Sequence, residues 1–294
     1  MTASPDPEAF RSAYEAGRPQ VVWTTLVADL ETPVSAMLKL ADGRPHSFLL
    51  ESVQGGEIRG RYSAIGLKPD LIWRCVAGTA EINRRARFDP DGFEPDPRPP
   101  LDSLRALIAE SRIELPESLP PIAAGLFGYL GYDMVRQMER LPDDNPDTLG
   151  VPEAVLMRPS VIAAFDSIED LVTIVTPVWP AEGVEAASAY AHARERLADV
   201  VADFGRSLPH RRERESATEA LPEPVSNMSR EAYHAAVETA KEYIRAGDIF
   251  QVVPSQRFSV PYELPPFGLY RALRRLNPSP FLFFLDLGGF SIVG

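Results

Sequence analysis

Gly247-Asp248-Ile249-Phe250-Gln251-Val252-Val253-Pro254-Ser255-Gln256-Arg257-Phe258, taken with Asn277-Pro278-Ser279-Pro280-Phe281-Leu282-Phe283-Phe284 further on, decides how the chain is read. From Phe250 the residues alternate with a period of two. Gln251, Val253, Ser255 and Arg257 fall on one face of an extended segment, and Phe250, Val252, Gln256 and Phe258 on the other. Polar groups inside an otherwise apolar strand suit a site built on a rigid element, or equally a half-exposed strand with one wet face. Phe281 to Leu287 and Phe290 onward are two more strand-like runs, and Gly288-Gly289 between them is the residue pair of a tight hairpin turn. The second arm is short, apolar and ends at Gly294, which leaves a hydrophobic edge unpaired. The chain is therefore expected to be incomplete at its C-terminus.

Upstream, Ser229 caps a helix whose apolar residues Tyr233, Val237, Ala240 and Ile244 share one face, with Lys241 and Arg245 near the negative end of its dipole and Gly247 as its stop. A short helix ends near Asn277. Before Ser229, residues Arg206 to Val225 mix charge and proline with few large apolar side chains, the composition of a solvated linker. The expected organisation is a first domain over residues 1–205, a linker over 206–226 and the start of a second domain over 227–294.

Within the first domain, Phe48 to Val53, Arg61 to Gly66 and the run around Trp73 read as antiparallel strands, with Gln54-Gly55-Gly56-Glu57 as a turn. A helix starting near Asp102 carries Leu104, Leu107 and Ile108 at helical spacing, and strands follow at Val151 to Phe165 and Leu171 to Val178. A second helix, Gly183 to Phe204, sets Tyr190, Leu197, Val200, Val201 and Phe204 near one face, and Gly205 suits its cap. Strands and helices in this order predict an α+β fold.

Of the 294 residues, 45% are hydrophobic and 24% charged, a profile that supports a real core. The net charge of −12 is concentrated before residue 227, and an acidic surface repels phosphate backbones, so nucleic acid is not expected as a partner. The single cysteine, Cys75, sits in a strand-like apolar run and reads as a buried, inert thiol. His46, His192, His210 and His234 fall on turn, helix, linker and helix, without metal-ligand spacing. No apolar run long enough to span a membrane and no basic leader is present, and residence in the cytoplasm is the expectation. Gly125-Leu126-Phe127-Gly128-Tyr129-Leu130-Gly131-Tyr132-Asp133 lacks the spacing of a dinucleotide-binding loop and reads as a strand that packs tightly under aromatic rings.

The C-terminal block of residues 227–294, with residues 48–66 and 121–136, resembles anthranilate synthase component I, of the chorismate-utilising enzymes. The resemblance spans nearly the whole chain and implies an antiparallel β-sandwich with flanking helices, incomplete at the C-terminus. Leu49-Leu50-Glu51-Ser52 is similar to the family's tryptophan-sensing motif, and Pro280-Phe281-Leu282 to the other wall of that inhibitor site. Ser52 is placed to meet the α-ammonium group and Phe281 and Leu282 to form a slot for the indole. Arg61 resembles a residue near that site and is a candidate partner for a carboxylate. The inhibitor-binding set is thus Leu50, Glu51, Ser52, Arg61, Pro280, Phe281 and Leu282.

Gln251 stands where related chorismate enzymes that add water carry a lysine resembling a general base. An amide cannot deprotonate water, which fits ammonia as nucleophile. The resemblance implies conversion of chorismate and ammonia to anthranilate and pyruvate, with Mg2+, a glutamine amidotransferase subunit as the source of ammonia and tryptophan as feedback inhibitor. The family's metal ligands and catalytic residues correspond to segments beyond Gly294, so no catalytic or metal-binding residue is assigned here and the chain alone is expected to be inactive. Aminodeoxychorismate synthase component I and a non-catalytic fragment that binds tryptophan or a partner subunit are the alternatives.

Overall fold

A computed structural model describes residues 2–41, 43–52, 60–208 and 222–294. The expected turn at 54–57, His210 and most of the expected linker lie outside these residues. The described chain falls into two compact units, one drawn from Met1–His210 with Pro266–Gly294 and the other from Arg211–Pro265.

The first unit opens with α1 (Pro7–Glu15) and β1 (Gln20–Val27), then α2 (Pro33–Leu40), β2 (Ser47–Ser52), β3 (Tyr62–Val76), β4 (Thr79–Asn83) and β5 (Glu94–Pro95). It continues through α3 (Pro100–Glu110), β6 (Phe127–Leu130), β7 (Ala154–Asp166), β8 (Leu171–Val178) and α4 (Ala186–Phe204). The second unit holds β9 (Val225–Ser226), α5 (Arg230–Ala246) and β10 (Phe258–Ser259). Then α6 (Pro266–Leu276), β11 (Phe281–Asp286) and β12 (Ser291–Val293) return to the first.

Ten strands form one antiparallel sheet with the central order β1-β8-β7-β3-β2-β11-β12. The strand periodicity accounts for its two faces. In β3, Ile65 and Leu67 join a cluster with Phe10 of α1, Met37 of α2 and Leu197 of α4, whereas Ala64 and Ile72 join Phe48, Ile162 and Leu285 in another. A third cluster gathers Trp73 and Cys75 with Leu104 and Leu107 of α3. There the Trp73 indole N–H, fully buried, donates to Ser103 Oγ at 3.0 Å. Burial pushes the Cys75 thiol up to about 11, which keeps it protonated and unreactive at neutral pH.

Several expectations are met in detail. β8 has the predicted bounds, Tyr190, Leu197, Val200 and Phe204 of α4 are buried, and Ser229 Oγ accepts from the Ala232 N–H while Gly247 closes α5 with φ +84°. Gly128 lies so close to the β7 backbone that a Cβ would strike the Val155 carbonyl, the tight packing expected of the glycine-rich segment.

Other expectations are corrected. The runs at 61–66 and Trp73 are one strand, β3, which stays continuous through a register shift between Pro69 and Leu71. Two helices, α1 and α2, precede these strands in a part of the chain where the sequence reading names no helix. Their signals are local: Asp6 accepts from Glu8 and Ala9 ahead of Pro7, and Thr32 forms a capping box with Ser35 ahead of Pro33. Ile108 of α3 is exposed. The alternating segment around Gln251 is not a strand: among the described residues only Phe258 and Ser259 pair, with Ser226 and Val225, because a period of two yields a strand only where a neighbour offers backbone partners. Residues 266–294 pack with the first unit, where β11 is hydrogen-bonded along its length to β2.

Candidate functional site

The two segments expected to wall one pocket are adjacent strands. β11 runs antiparallel to β2 with Phe281 opposite Ser52, Leu282 opposite Glu51 and Phe283 opposite Leu50. Directly opposed residues share a face of the sheet, so this register divides the predicted residues into two groups. Leu50, Ser52 and Phe281 lie on one face; Glu51 and Leu282 lie on the other, which α6 covers.

On the α6 side Glu51 is 4% exposed and accepts hydrogen bonds from the buried Tyr270 hydroxyl and from Arg274 Nε at 2.8 Å and Nη2 at 3.1 Å. Tyr270 and Arg274 are one helical turn apart, so a single carboxylate meets both. Burial, with the bond to Glu51 next, raises the Tyr270 phenol far above its ordinary value, and the same carboxylate raises the Arg274 guanidinium. The Tyr270 ring also stacks on Phe267 at 5.5 Å between centroids. Glu51 is thus an anchor that ties α6 to β2, and Leu282, 2% exposed, is core beneath it. Tyr270 and Arg274 were legible only as an i, i+4 pair on a helix; their partner lies 219 and 223 residues away in sequence.

On the opposite face Phe281 is 66% exposed beside the half-buried Ser52 and Leu50, which leaves an aromatic surface and a hydroxyl side by side at the end of the β2–β11 ladder. Pro280 precedes β11, where its missing N–H costs the ladder nothing. Such a pair can place a flat apolar group over the ring and an ammonium on the hydroxyl.

Arg61 does meet a carboxylate, but an internal one. Its Nε lies 2.9 and 3.0 Å and its Nη2 2.6 Å from the Asp166 oxygens, which joins the start of β3 to the end of β7. Burial pushes the Asp166 carboxyl up; Arg61 and the amides of Ile168 and Glu169 outweigh it and hold the group below its usual range. Gln251 lies in the second unit, in an exposed segment without strand pairing. Among the described residues no group of three or more His, Cys, Asp or Glu side chains is arranged to hold a metal ion.

Residues 48–294 match the family model for chorismate binding enzymes. Anthranilate synthase component 1 of Cereibacter sphaeroides is 58% identical over 287 residues, 98% of this chain and 57% of that protein. The Thermus thermophilus protein of the same name is 41% identical over 90% of this chain and 53% of its own length. The crystal structure of anthranilate synthase component I from Streptococcus pneumoniae superposes with a TM-score of 0.63 at 25% identity, over 92% of this chain and 56% of that one. The chain spans about half the length of the curated relatives it matches.

Proposed function

The chain belongs to the chorismate binding enzyme family, and from that premise we propose that it is the tryptophan-responsive portion of an anthranilate synthase component I together with the beginning of its chorismate-binding portion. The observation that carries this reading is the β2–β11 register, which seats Phe281 beside Ser52. Tryptophan binds with its α-ammonium on the Ser52 hydroxyl and its indole over the Phe281 ring, with Leu50 and Pro280 closing the apolar side. Glu51 and Leu282 act from behind the sheet by holding α6 and β11 in place, and Arg61 with Asp166 keeps the ends of β3 and β7 together beside the pocket.

The rest of the reading is proposed from the resemblance to the anthranilate synthase component I family. Residues 1–205 serve regulation and 227–294 open the catalytic part, the sheet is one layer of an antiparallel sandwich, and the whole enzyme is a lyase that turns chorismate and ammonia into anthranilate and pyruvate. Ammonia comes from a glutamine amidotransferase subunit, tryptophan is the feedback inhibitor, Mg2+ serves the catalytic part and the cytoplasm is the site of action. This chain alone is expected to yield no anthranilate from chorismate, Mg2+ and an ammonium salt, and detectable product would reject that part of the reading. No helix among the described residues is long and apolar enough to cross a membrane.

A ligand that binds only the folded state raises the melting temperature. Millimolar tryptophan is expected to raise the Tm of this chain, and Ser52→Arg to abolish the rise by placing a bulky cation where the ammonium sits. No shift with the native chain, or an unchanged shift in the variant, rejects the pocket.

A further inference from the structure

We propose that a cleft at the far end of β2 binds a small organic dianion with a compact apolar body, held by Arg44, Lys68 and Arg87. The cleft has a volume of about 260 Å³, enough for one ring with a short charged substituent, and its apolar floor includes Leu67 and Ala86. It opens at Ser47, five residues along β2 from Ser52, or roughly 17 Å at the rise of a strand, so it is separate from the Ser52–Phe281 face.

Three features make this more than a surface hollow. The first is charge. In a chain of net charge −12, three cations line one small cleft, and none of them has an ion-pair partner among the described residues. A fourth lies close behind: the Arg196 guanidinium, whose Nε donates to Thr176 Oγ1 at 2.8 Å, is lowered by burial and then by the nearby Arg87 charge. Asp70, the acid that works against this, is already held by Arg158 through two bonds of 2.8 Å. A bound dianion gives the three lining cations the ion-pair partner they lack among the described residues.

The second feature is backbone. His46 and Lys68, both on the cleft wall, are non-glycine residues with φ of +58° and +50°, a conformation that costs free energy and persists only where neighbours enforce it. Lys68 is pinned by the Ser160 hydroxyl on its carbonyl, and the His46 ring packs on Gly288, where any Cβ would strike it.

The third feature is the separation of charges. Asp286 and Asp91 both act on the His46 imidazole, which burial nonetheless keeps below its ordinary value, so His46 forms the neutral rim of the cleft at neutral pH and the arginines and lysine its electropositive end. An anionic group meets the cations there while an attached ring lies over Leu67 and Ala86.

Isothermal titration of the 294-residue chain with phenyl phosphate tests the inference. Binding at millimolar concentration is expected, with inorganic phosphate and benzyl alcohol each about tenfold weaker, the equivalent of losing one charge-assisted hydrogen bond or the burial of the ring. Lys68→Gln with Arg87→Gln weakens phenyl phosphate by tenfold or more, Arg44→Gln alone supplies a second reading if that pair does not fold, and Arg105→Gln, on an exposed face of α3, leaves binding unchanged. No heat with phenyl phosphate, phosphate binding as tightly, or equal weakening in Arg105→Gln overturns the proposal.

Discussion

α4 and α5 are two amphipathic helices of 19 and 17 residues with opposite fates. α4 buries seven residues against the sheet, and α5, whose Tyr233, Val237, Ala240 and Ile244 line one face as cleanly, has no buried residue. Both have the period that a helix with one apolar side requires, and both have sound ends. Periodicity states which face of a helix gains by being covered, not whether a partner is present to cover it, and most of a helix's stability in a protein comes from that partner.

The comparison is sharpened first at Glu51, where α6 achieves what α5 does not. Glu51→Ala leaves the buried Tyr270 hydroxyl and the partly exposed Arg274 without their shared acceptor and is expected to cost about 3 kcal/mol in denaturant unfolding. A loss below about 1 kcal/mol would mean that α6 is held by its aromatic packing alone. Next, Leu197→Ala in α4 empties a fully buried site and should cost about 3 kcal/mol, whereas Val237→Ala in α5 changes global stability by less than about 0.5 kcal/mol. Equal losses in the two helices would erase the contrast.

A smaller effect is expected at Asp166. Its folded-state carboxyl lies below the unfolded value, so it stabilises the fold fully above about pH 4 and progressively less as pH falls through the folded value. Asp166→Asn should therefore cost about 1 kcal/mol near neutrality, with the gap to the native chain closing in acid; a gap independent of pH would show that the amide contacts, not the charge, matter. The smallest global change is expected from Ser229→Ala. Loss of this cap weakens α5 by about 1 kcal/mol, seen as faster amide exchange within α5, and leaves the melting of the sheet in place. Slower or unchanged exchange would remove Ser229 from the helix's support.

The amino-acid sequence alone determined the elements with strong local signals: β8, the buried stripe of α4, the ends of α5 at Ser229 and Gly247, and the Gly288-Gly289 turn, where φ of +76° and +127° exclude most side chains. It also paired the segments around Ser52 and Phe281, through family resemblance. Only the tertiary structure decided which of those residues face outward. Alternation fixes that Glu51 and Ser52 point opposite ways, but the α6 helix, reached through more than two hundred residues of chain, determines that Glu51 is the buried one. The same holds for Arg61, whose partner Asp166 is 105 residues away, and for the segment at Gln251, which alternates like a strand yet pairs only at its end. Caps and turns are decided within a few residues by backbone sterics and local hydrogen bonds. Faces, ion pairs and strands are decided by what the rest of the chain brings alongside.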